Sequence, residues 1–140
     1  MTEVYSISWT AGQAAARLRT YRILFGLSIA TNVVVSLLAL LTPYTFAHLL
    51  GQPDPFPDGW PRVWGATLLG LHLVYVPGLL QPLRYRWPNW ASIVIKFWMT
   101  IVFLFQGWLF LPFAVWDFAW GVVLLVAYYR LTLADTARRP

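Results

Sequence analysis

The chain contains no cysteine, which excludes disulfides, thiolate metal sites and Cys-based redox chemistry. Charge is also scarce, because only 11% of the 140 residues are charged, whereas a typical soluble domain has about 25%. At the same time 59% of the residues are hydrophobic, and a soluble fold of this size could not hide that much apolar surface. Lipid must therefore cover much of the surface, and the sequence predicts an integral membrane protein.

Signatures of self-contained enzymes are also missing from the sequence. It has no Gly-rich phosphate loop, no HExxH motif, no nucleophile elbow and no paired carboxylates. We therefore expect neither a catalytic residue nor a metal site, and an enzyme activity of its own is not favoured. The net charge of +5 does not indicate nucleic acid as a partner, because the Arg residues flank apolar runs instead of forming a patch.

Four apolar runs are long enough to span a membrane, since a spanning helix needs about 20 mostly apolar residues. Gln106 and Gly107, followed by Pro112, divide the last two runs, because Gly and Pro end or bend helices. The prediction is one all-α transmembrane domain over residues 1–140, folded as an integral membrane four-helix bundle. Its spans lie at residues 22–42, 61–81, 89–107 and 111–131, and a Pro-rich outer loop covers residues 43–60.

The positions of the Arg residues predict the orientation of the chain. Eight of them belong to the N-terminal flank, the turn between the second and third spans, or the C-terminal flank: Arg17, Arg19, Arg22, Arg84, Arg86, Arg130, Arg138 and Arg139. Arg62 alone lies on the other side, together with Asp54 and Asp58. Positively charged flanks stay in the cytoplasm, so we expect both termini to be cytoplasmic in a multi-pass protein of the inner (plasma) membrane.

Two polar residues lie near the middle of the first two predicted spans. Polar groups are costly inside a bilayer, and each is a candidate for function. Asn32 and His72 have a similar depth and would hydrogen-bond to each other if the two helices touch. Alternatively, His72 ligates the metal of a tetrapyrrole or hydrogen-bonds a quinone, with Asn32 beside it. A bis-His haem is not expected, because the second histidine, His48, lies in or near the outer loop.

Three charged side chains lie within or at the edge of the predicted spans. Lys96 is expected to extend its long stem toward the headgroups, or else to bind a lipid phosphate, an anionic ligand or a carboxylate of a partner. Asp117 lies in the first turns of the fourth span, where an acidic group is favoured. Arg62 starts the second span on the same side, so the sequence predicts an ion pair between Arg62 and Asp117.

Aromatic and small residues suggest where the helices leave or close a space. Most Trp residues are typical of belts at the membrane interface, but Trp64 and Trp120 lie deeper and are predicted to line a cavity for a flat or isoprenoid ligand. Ala66 and Gly70 are four residues apart, which is the spacing of small residues that lets a neighbouring helix approach.

The block from Arg62 to Gly70, which follows Leu49-Leu50-Gly51, resembles small four-helix membrane proteins of the broad DoxX-like kind. Lys96, between Ile95 and Phe97 in the third span, is similar too, and the resemblance covers residues 22–130. It implies a four-helix bundle of the inner membrane. Members of that family are mostly of unknown function, and some are linked to quinone-coupled sulfur oxidation. No catalytic residue is carried over from the resemblance.

Three hypotheses for function follow. The first is a structural or accessory subunit of a larger membrane complex or of a homo-oligomer, without a cofactor; it predicts a flat apolar contact face and no cavity around His72. The second is a quinone- or lipid-handling component of a membrane oxidoreductase, which predicts an apolar pocket beside His72 or Lys96. The third is a haem- or chlorophyll-binding subunit that uses His72, which predicts visible absorbance.

Overall fold

The computed structural model describes residues 11–136. Within this range the chain is 86% helical and contains no strand, which confirms the all-α prediction. The helices are α1 (Ala11–Leu41), α2 (Pro43–Leu49), α3 (Gly59–Leu80), α4 (Arg86–Phe105) and α5 (Leu111–Thr136), with a short 3-10 helix at Trp108–Phe110.

Four of the helices, α1, α3, α4 and α5, are long and apolar enough to cross a membrane. Only 17% to 28% of the most apolar segment of each helix is buried inside the bundle. Large apolar side chains point outward on every one of them, as Ile23, Leu73, Val94 and Val122 illustrate. Because apolar surface in water is unfavourable, lipid is the fitting solvent for these faces, and the prediction of a multi-pass membrane protein is supported.

Helix α1 begins at Ala11, well before the predicted start of the first span at residue 22, and α5 continues to Thr136. The 31 residues of α1 are about 46 Å long at 1.5 Å per residue, whereas the hydrocarbon core of a bilayer is about 30 Å thick. The added turns contain Ala and Arg, which are good helix formers, but Arg17 and Arg19 interrupt the apolar run from which the span was predicted.

Helices α1 and α3 run antiparallel and cap each other. The Arg22 guanidinium donates a hydrogen bond to the carbonyl of Leu80, at the end of α3. At the other end, Nη1 of Arg62 donates to the carbonyl of Leu40 at 2.8 Å. The last carbonyls of a helix have no partner within that helix, and cations are favoured there, so the two Arg residues secure the pair at both ends.

Gly65 sets the distance between α1 and α3. A Cβ atom at this position would lie 2.5 Å from the carbonyl oxygen of Ser36 and 2.9 Å from the amide nitrogen of Leu40. Those are backbone atoms, which cannot move aside without separating the helices. Gly70 has open space at its Cβ position and, like Ala66, lies on the exposed surface. The predicted contact through Ala66 and Gly70 is therefore wrong, and the close contact is made by Gly65, the residue before Ala66.

We call the end of the bundle that holds Ala11, Thr136 and the α3–α4 turn the termini end, and the opposite end the loop end. The halves of the bundle nearest to them are the termini half and the loop half. A buried cluster fills the termini half: Tyr21, Phe25, Tyr75, Ile93, Leu124, Tyr128 and Leu131.

Neutral hydrogen bonds lock the termini half. The hydroxyl of Tyr21 donates to Oδ1 of Asn89 at 2.6 Å. The amide of Asn89 in turn donates to the carbonyls of Tyr85 at 2.7 Å and Pro82 at 3.2 Å. The hydroxyl of Tyr128 donates to the same Pro82 carbonyl at 3.3 Å. These bonds connect α1, α4 and α5 with the α3–α4 turn.

Candidate functional site

A cavity of about 350 Å³ begins near the middle of the bundle, where residues from all four long helices line it. This volume lies within the range of about 300–1,000 Å³ that is usual for small-molecule sites. Most of the wall is apolar, and it includes Leu68, Met99 and Phe113. Six polar or charged side chains also line it: Asn32, His72, Tyr75, Ser92, Lys96 and Asp117. A mainly apolar wall with a few polar groups is typical of a ligand site.

Lys96 and Asp117 form an ion pair in this wall. The Nζ atom of Lys96 lies 2.5 Å from Oδ1 of Asp117, and the two side chains are 12% and 13% exposed. Lys96 lies at the middle of α4, so its side chain does not reach the headgroups as one expectation had it. Its neighbour is Asp117 of this chain, whereas the alternative expectation was a lipid phosphate, an anionic ligand or a carboxylate of a partner.

The predicted ion pair between Arg62 and Asp117 does not form. Arg62 lies 3.1 Å from the carboxylate of Asp58, one turn before it on the surface, and also caps α1 through the Leu40 carbonyl. Asp117 lies nearly two turns into α5, about 9 Å from its first residue at 1.5 Å per residue. That depth brings Asp117 level with Lys96, whereas Arg62 lies in the first turn of α3.

The ion pair keeps much of its hydrogen-bonding capacity unused. An ammonium group carries three donors and a carboxylate about four lone-pair positions. Among residues 11–136, the Nζ atom of Lys96 and the carboxylate of Asp117 hydrogen-bond only to each other. Buried polar groups are nearly always satisfied by protein, water or ligand. The unused donors and acceptors therefore form a polar centre for a molecule inside an otherwise apolar cavity.

His72 and Asn32 both line the cavity, but they do not hydrogen-bond to each other as expected. Nδ1 of His72 lies 2.5 Å from the carbonyl oxygen of Leu68, one turn earlier in α3. Nδ2 of Asn32 donates to the carbonyl of Ser28 at 2.9 Å. Each side chain thus bonds to the backbone of its own helix, a common local alternative for polar side chains. His72 is also close enough to Lys96 and Asp117 to experience both charges.

Tyr75 is a further member of the site that the sequence analysis missed. Its ring meets the ring of His72 edge to face at 5.6 Å. Its hydroxyl is buried and has no hydrogen-bond partner among the described residues. The helical spacing could have identified it, because Leu68, His72 and Tyr75 are four and three residues apart on one face of α3. The same spacing joins Ser92 to Lys96 on α4.

The two Trp residues predicted to line a cavity have different positions. Trp64 does line the cavity. Trp120 instead packs against the buried cluster of the termini half, and Trp116, one turn earlier on α5, lines the cavity. The rings of Trp116 and Trp120 are 6.0 Å apart, edge to face, so the aromatic wall extends from the cavity to the core.

A second cavity of about 380 Å³ continues from the first toward the loop end. The two cavities share a wall of five apolar residues: Leu50, Trp64, Met99, Phe103 and Phe113. Phe46 of α2 and Gln52 of the following loop line its far side. His48 is not part of either cavity; it is exposed and lies 3.1 Å from Asp54. The bundle therefore contains a polar centre followed by a long apolar space.

Residues 11–136 contain no group of three or more His, Cys, Asp or Glu side chains that could hold a metal ion. Comparison of the chain with models of protein families, with curated proteins and with solved structures gives no match.

Proposed function

We propose that this chain binds a lipid-soluble quinone in the cavity between its helices, as a quinone-handling component of a membrane oxidoreductase. The observation that carries the proposal is the ion pair of Lys96 and Asp117, which has unused hydrogen-bonding capacity inside an apolar cavity. Ionisable residues within a membrane bundle are expensive and usually functional. A ligand with oxygen atoms on an apolar ring satisfies both the polar centre and the wall around it.

The aromatic residues of the wall favour a flat ring as the ligand. Trp64, Phe103 and Phe113 line the cavity within the bundle. Aromatic rings attract one another in offset or edge-to-face contacts worth about 0.5–1.5 kcal/mol. In the proposed complex the ring lies among these side chains, with one of its oxygens accepting a hydrogen bond from Lys96.

The second cavity supplies room for the apolar tail of such a ligand. Its lining is mostly aromatic and aliphatic, and Met99 and Phe113 belong to the walls of both cavities. A polar headgroup in the first cavity thus continues into an apolar chain in the second. Because the tail moves from lipid and not from water, its transfer adds little hydrophobic free energy. The second cavity supplies the room for the tail and packing contacts along it.

For the orientation we propose that the termini end faces the cytoplasm of the cell that makes the protein, in its plasma membrane. Support comes from the excess of Arg at that end, including Arg22, Arg84, Arg86 and Arg130, because basic flanks stay cytoplasmic. The DoxX-like resemblance implies a four-helix bundle of the inner membrane, and some members of that family are linked to quinone-coupled sulfur oxidation. An accessory role beside other membrane proteins stays a prediction, but the absence of a cavity around His72 that it predicted is not found.

A tetrapyrrole ligated by His72 is a second candidate. Metal-bound histidines commonly donate the hydrogen of their other ring nitrogen to a backbone carbonyl, which is the arrangement of Nδ1 of His72 with Leu68. A visible absorption spectrum of the protein purified from native membranes separates the two candidates. A Soret or chlorophyll band that is lost in His72→Ala supports the tetrapyrrole, whereas a colourless protein with extractable quinone supports our proposal.

The direct test is a binding titration in lipid nanodiscs with a benzoquinone that carries a short isoprenoid tail. Quenching of Trp fluorescence reports binding, since Trp64 and Trp116 line the cavity. The wild type is expected to show saturable quenching, and the double variant Lys96→Met, Asp117→Leu to bind at least about tenfold more weakly. His48→Gln, an exposed residue outside the cavities, is the matched control. Identical, non-saturating quenching in the wild type and the double variant would overturn the proposal.

A further inference from the structure

We infer that the site selects the reduced, hydroxyl form of its ligand over the oxidised, carbonyl form. This inference rests on the proposed function and specifies which redox state the cavity holds. It follows from the hydrogen-bonding roles of two residues toward a ligand: His72 is an acceptor and Lys96 is a donor.

The role of His72 follows from its contact with Leu68. Nδ1 of His72 lies 2.5 Å from the carbonyl oxygen of Leu68. A carbonyl oxygen can only accept, so the hydrogen of this bond belongs to Nδ1. In a neutral imidazole the other nitrogen, Nε2, then carries a lone pair and accepts hydrogen bonds. Nε2 has no hydrogen-bond partner among residues 11–136, and His72 lines the cavity.

The role of Lys96 is the reverse. Its ammonium group only donates, and it donates one hydrogen bond to Asp117. A second hydrogen remains for an oxygen atom of the ligand. The oxygen of a hydroxyl group and the oxygen of a carbonyl group both accept such a bond, so Lys96 does not distinguish the two redox forms. Asp117, an acceptor beside it, adds to the preference for a ligand that donates.

The choice between the forms therefore depends on the acceptor. A hydroquinone donates one hydroxyl hydrogen to Nε2 of His72 while another of its oxygens accepts from Lys96. A quinone has no hydrogen to donate, so Nε2 of His72 gains no hydrogen bond from it. A site that hydrogen-bonds a hydroxyl rejects an analogue without one, because its own polar groups are then left unpaired. Tyr75 does not reverse this preference, since a hydroxyl group both donates and accepts.

Selective binding of the reduced form has an electrochemical consequence. If the hydroquinone binds tenfold more tightly than the quinone, the midpoint potential of the bound two-electron couple rises by about 30 mV relative to the free couple. The bound ligand is then a better oxidant than the pool in the surrounding lipid. The site is therefore suited to the reduction of quinone, with hydroquinone as the product that stays bound in the cavity.

The test compares both redox forms of one ligand in the wild-type protein. Calorimetric titrations in nanodiscs, under anaerobic conditions, use a decyl-tailed benzoquinone and its chemically reduced hydroquinone, with empty nanodiscs as the background. We expect the hydroquinone to bind at least tenfold more tightly. A redox titration of the bound couple is expected to give a midpoint at least about 30 mV above its value in empty nanodiscs.

Variants assign the preference to one residue. In His72→Phe the affinity for the quinone is expected to stay within about threefold, while the preference for the hydroquinone falls to the part that Asp117 contributes. His48→Phe, an exposed histidine that faces neither cavity, is expected to keep the full preference. A preference of unchanged size in His72→Phe would overturn the role of His72.

The outcomes also separate this inference from the proposed function. Equal or tighter binding of the quinone in the wild type overturns the inference and leaves the quinone site in place. Absence of binding of either form overturns the proposed function and the inference together. The wild-type comparison needs no substitution, so it decides the matter even if His72→Phe does not fold.

Discussion

In the termini half, Tyr21, Asn89 and Tyr128 are almost completely buried, and each of these neutral side chains makes a hydrogen bond. In the middle and the loop half, the buried polar groups include a charged pair, Lys96 and Asp117, which faces a cavity with unused donors and acceptors. The two halves of the bundle therefore differ in how the hydrogen-bonding capacity of their buried polar side chains is satisfied. The three neutral side chains satisfy their polar atoms within the protein, whereas the Lys96–Asp117 pair and the buried hydroxyl of Tyr75 keep unused hydrogen-bonding capacity at the cavity.

This difference separates stability from binding. Saturated neutral networks rigidify a core, whereas partly satisfied ones are costly unless something completes them. Charges inside a bundle cost more again, because desolvation of two ions is repaid only when the geometry and further hydrogen bonds are favourable. The charged pair therefore lowers the stability of the loop half, and the proposed ligand accounts for its presence. Three comparisons of variants test this contrast.

The largest effect is expected from breaking the charged pair. Lys96→Met leaves the carboxylate of Asp117 without its partner, and such single losses typically cost about 3–5 kcal/mol of unfolding free energy. The double variant Lys96→Met, Asp117→Leu removes both charges and is expected to return within about 1 kcal/mol of the wild type. Reversible unfolding in mixed detergent micelles measures both. An equal loss of unfolding free energy in the single and double variants would mean that the ion pair stabilises the fold, contrary to the difference between the two halves.

The next effect concerns the neutral network of the termini half. Asn89→Ala leaves the hydroxyl of Tyr21 without its acceptor, and we expect a loss of about 2 kcal/mol of unfolding free energy.

Ligand binding should not change in Asn89→Ala, because Asn89 lines neither cavity. Gln81→Ala, an exposed amide at the same end, is the control and should stay within about 0.5 kcal/mol. The same micelle unfolding assay, combined with the quinone titration, checks both statements. A variant that loses binding but keeps its stability would reverse the assignment of the two halves.

The smallest effect compares the addition of one carbon atom in each half. Gly78→Ala in the termini half places a Cβ atom 2.9 Å from Cβ of Pro88 and 3.0 Å from Oδ1 of Asn89. We expect it to lose about 1 kcal/mol, since overpacking costs about 1–3 kcal/mol and Ala regains up to about 1 kcal/mol of helix propensity. Val35→Ile adds a carbon beside the cavity and should be neutral or stabilising by up to about 0.8 kcal/mol.

The same unfolding assay measures both additions, and only Val35→Ile is expected to weaken quinone binding. If Val35→Ile destabilises as much as Gly78→Ala, the loop half is packed as tightly as the termini half.

Much of the fold is readable from the sequence because lipid imposes a simple rule. Runs of about 20 apolar residues must be helices that satisfy their own backbone groups, and this alone predicts four helices. The start of α1 at Ala11 was missed because residues 11–20 lack the apolar pattern, although they favour a helix. Gly70 was predicted as the contact residue in place of Gly65. The sequence of α3 is apolar all round, so its hydrophobic pattern does not show which face meets α1.

Part of the site could be predicted for a different reason. Lys96, His72 and Asp117 stand out in apolar spans, since a charge in lipid demands an explanation. The partner of Asp117 could not be found in this way. The partner depends on the depth of each side chain in the bundle and on the direction in which each helix faces. Helix bounds predicted from sequence are in error by a few residues, which is too coarse to decide between Lys96 and Arg62 as the partner.

The two Arg caps described above, from Arg22 and Arg62, make α1 and α3 one stiff arm, and the ion pair joins α4 and α5 into another. Among the described residues, the hydrogen bonds that link the two arms lie at the termini end, apart from a 3.5 Å contact between Nε2 of Gln52 and the carbonyl of Leu109. The arms are therefore tied together mainly at the termini end. The proposed ligand would then enter sideways from the lipid, between the arms at the loop end, without passing through water.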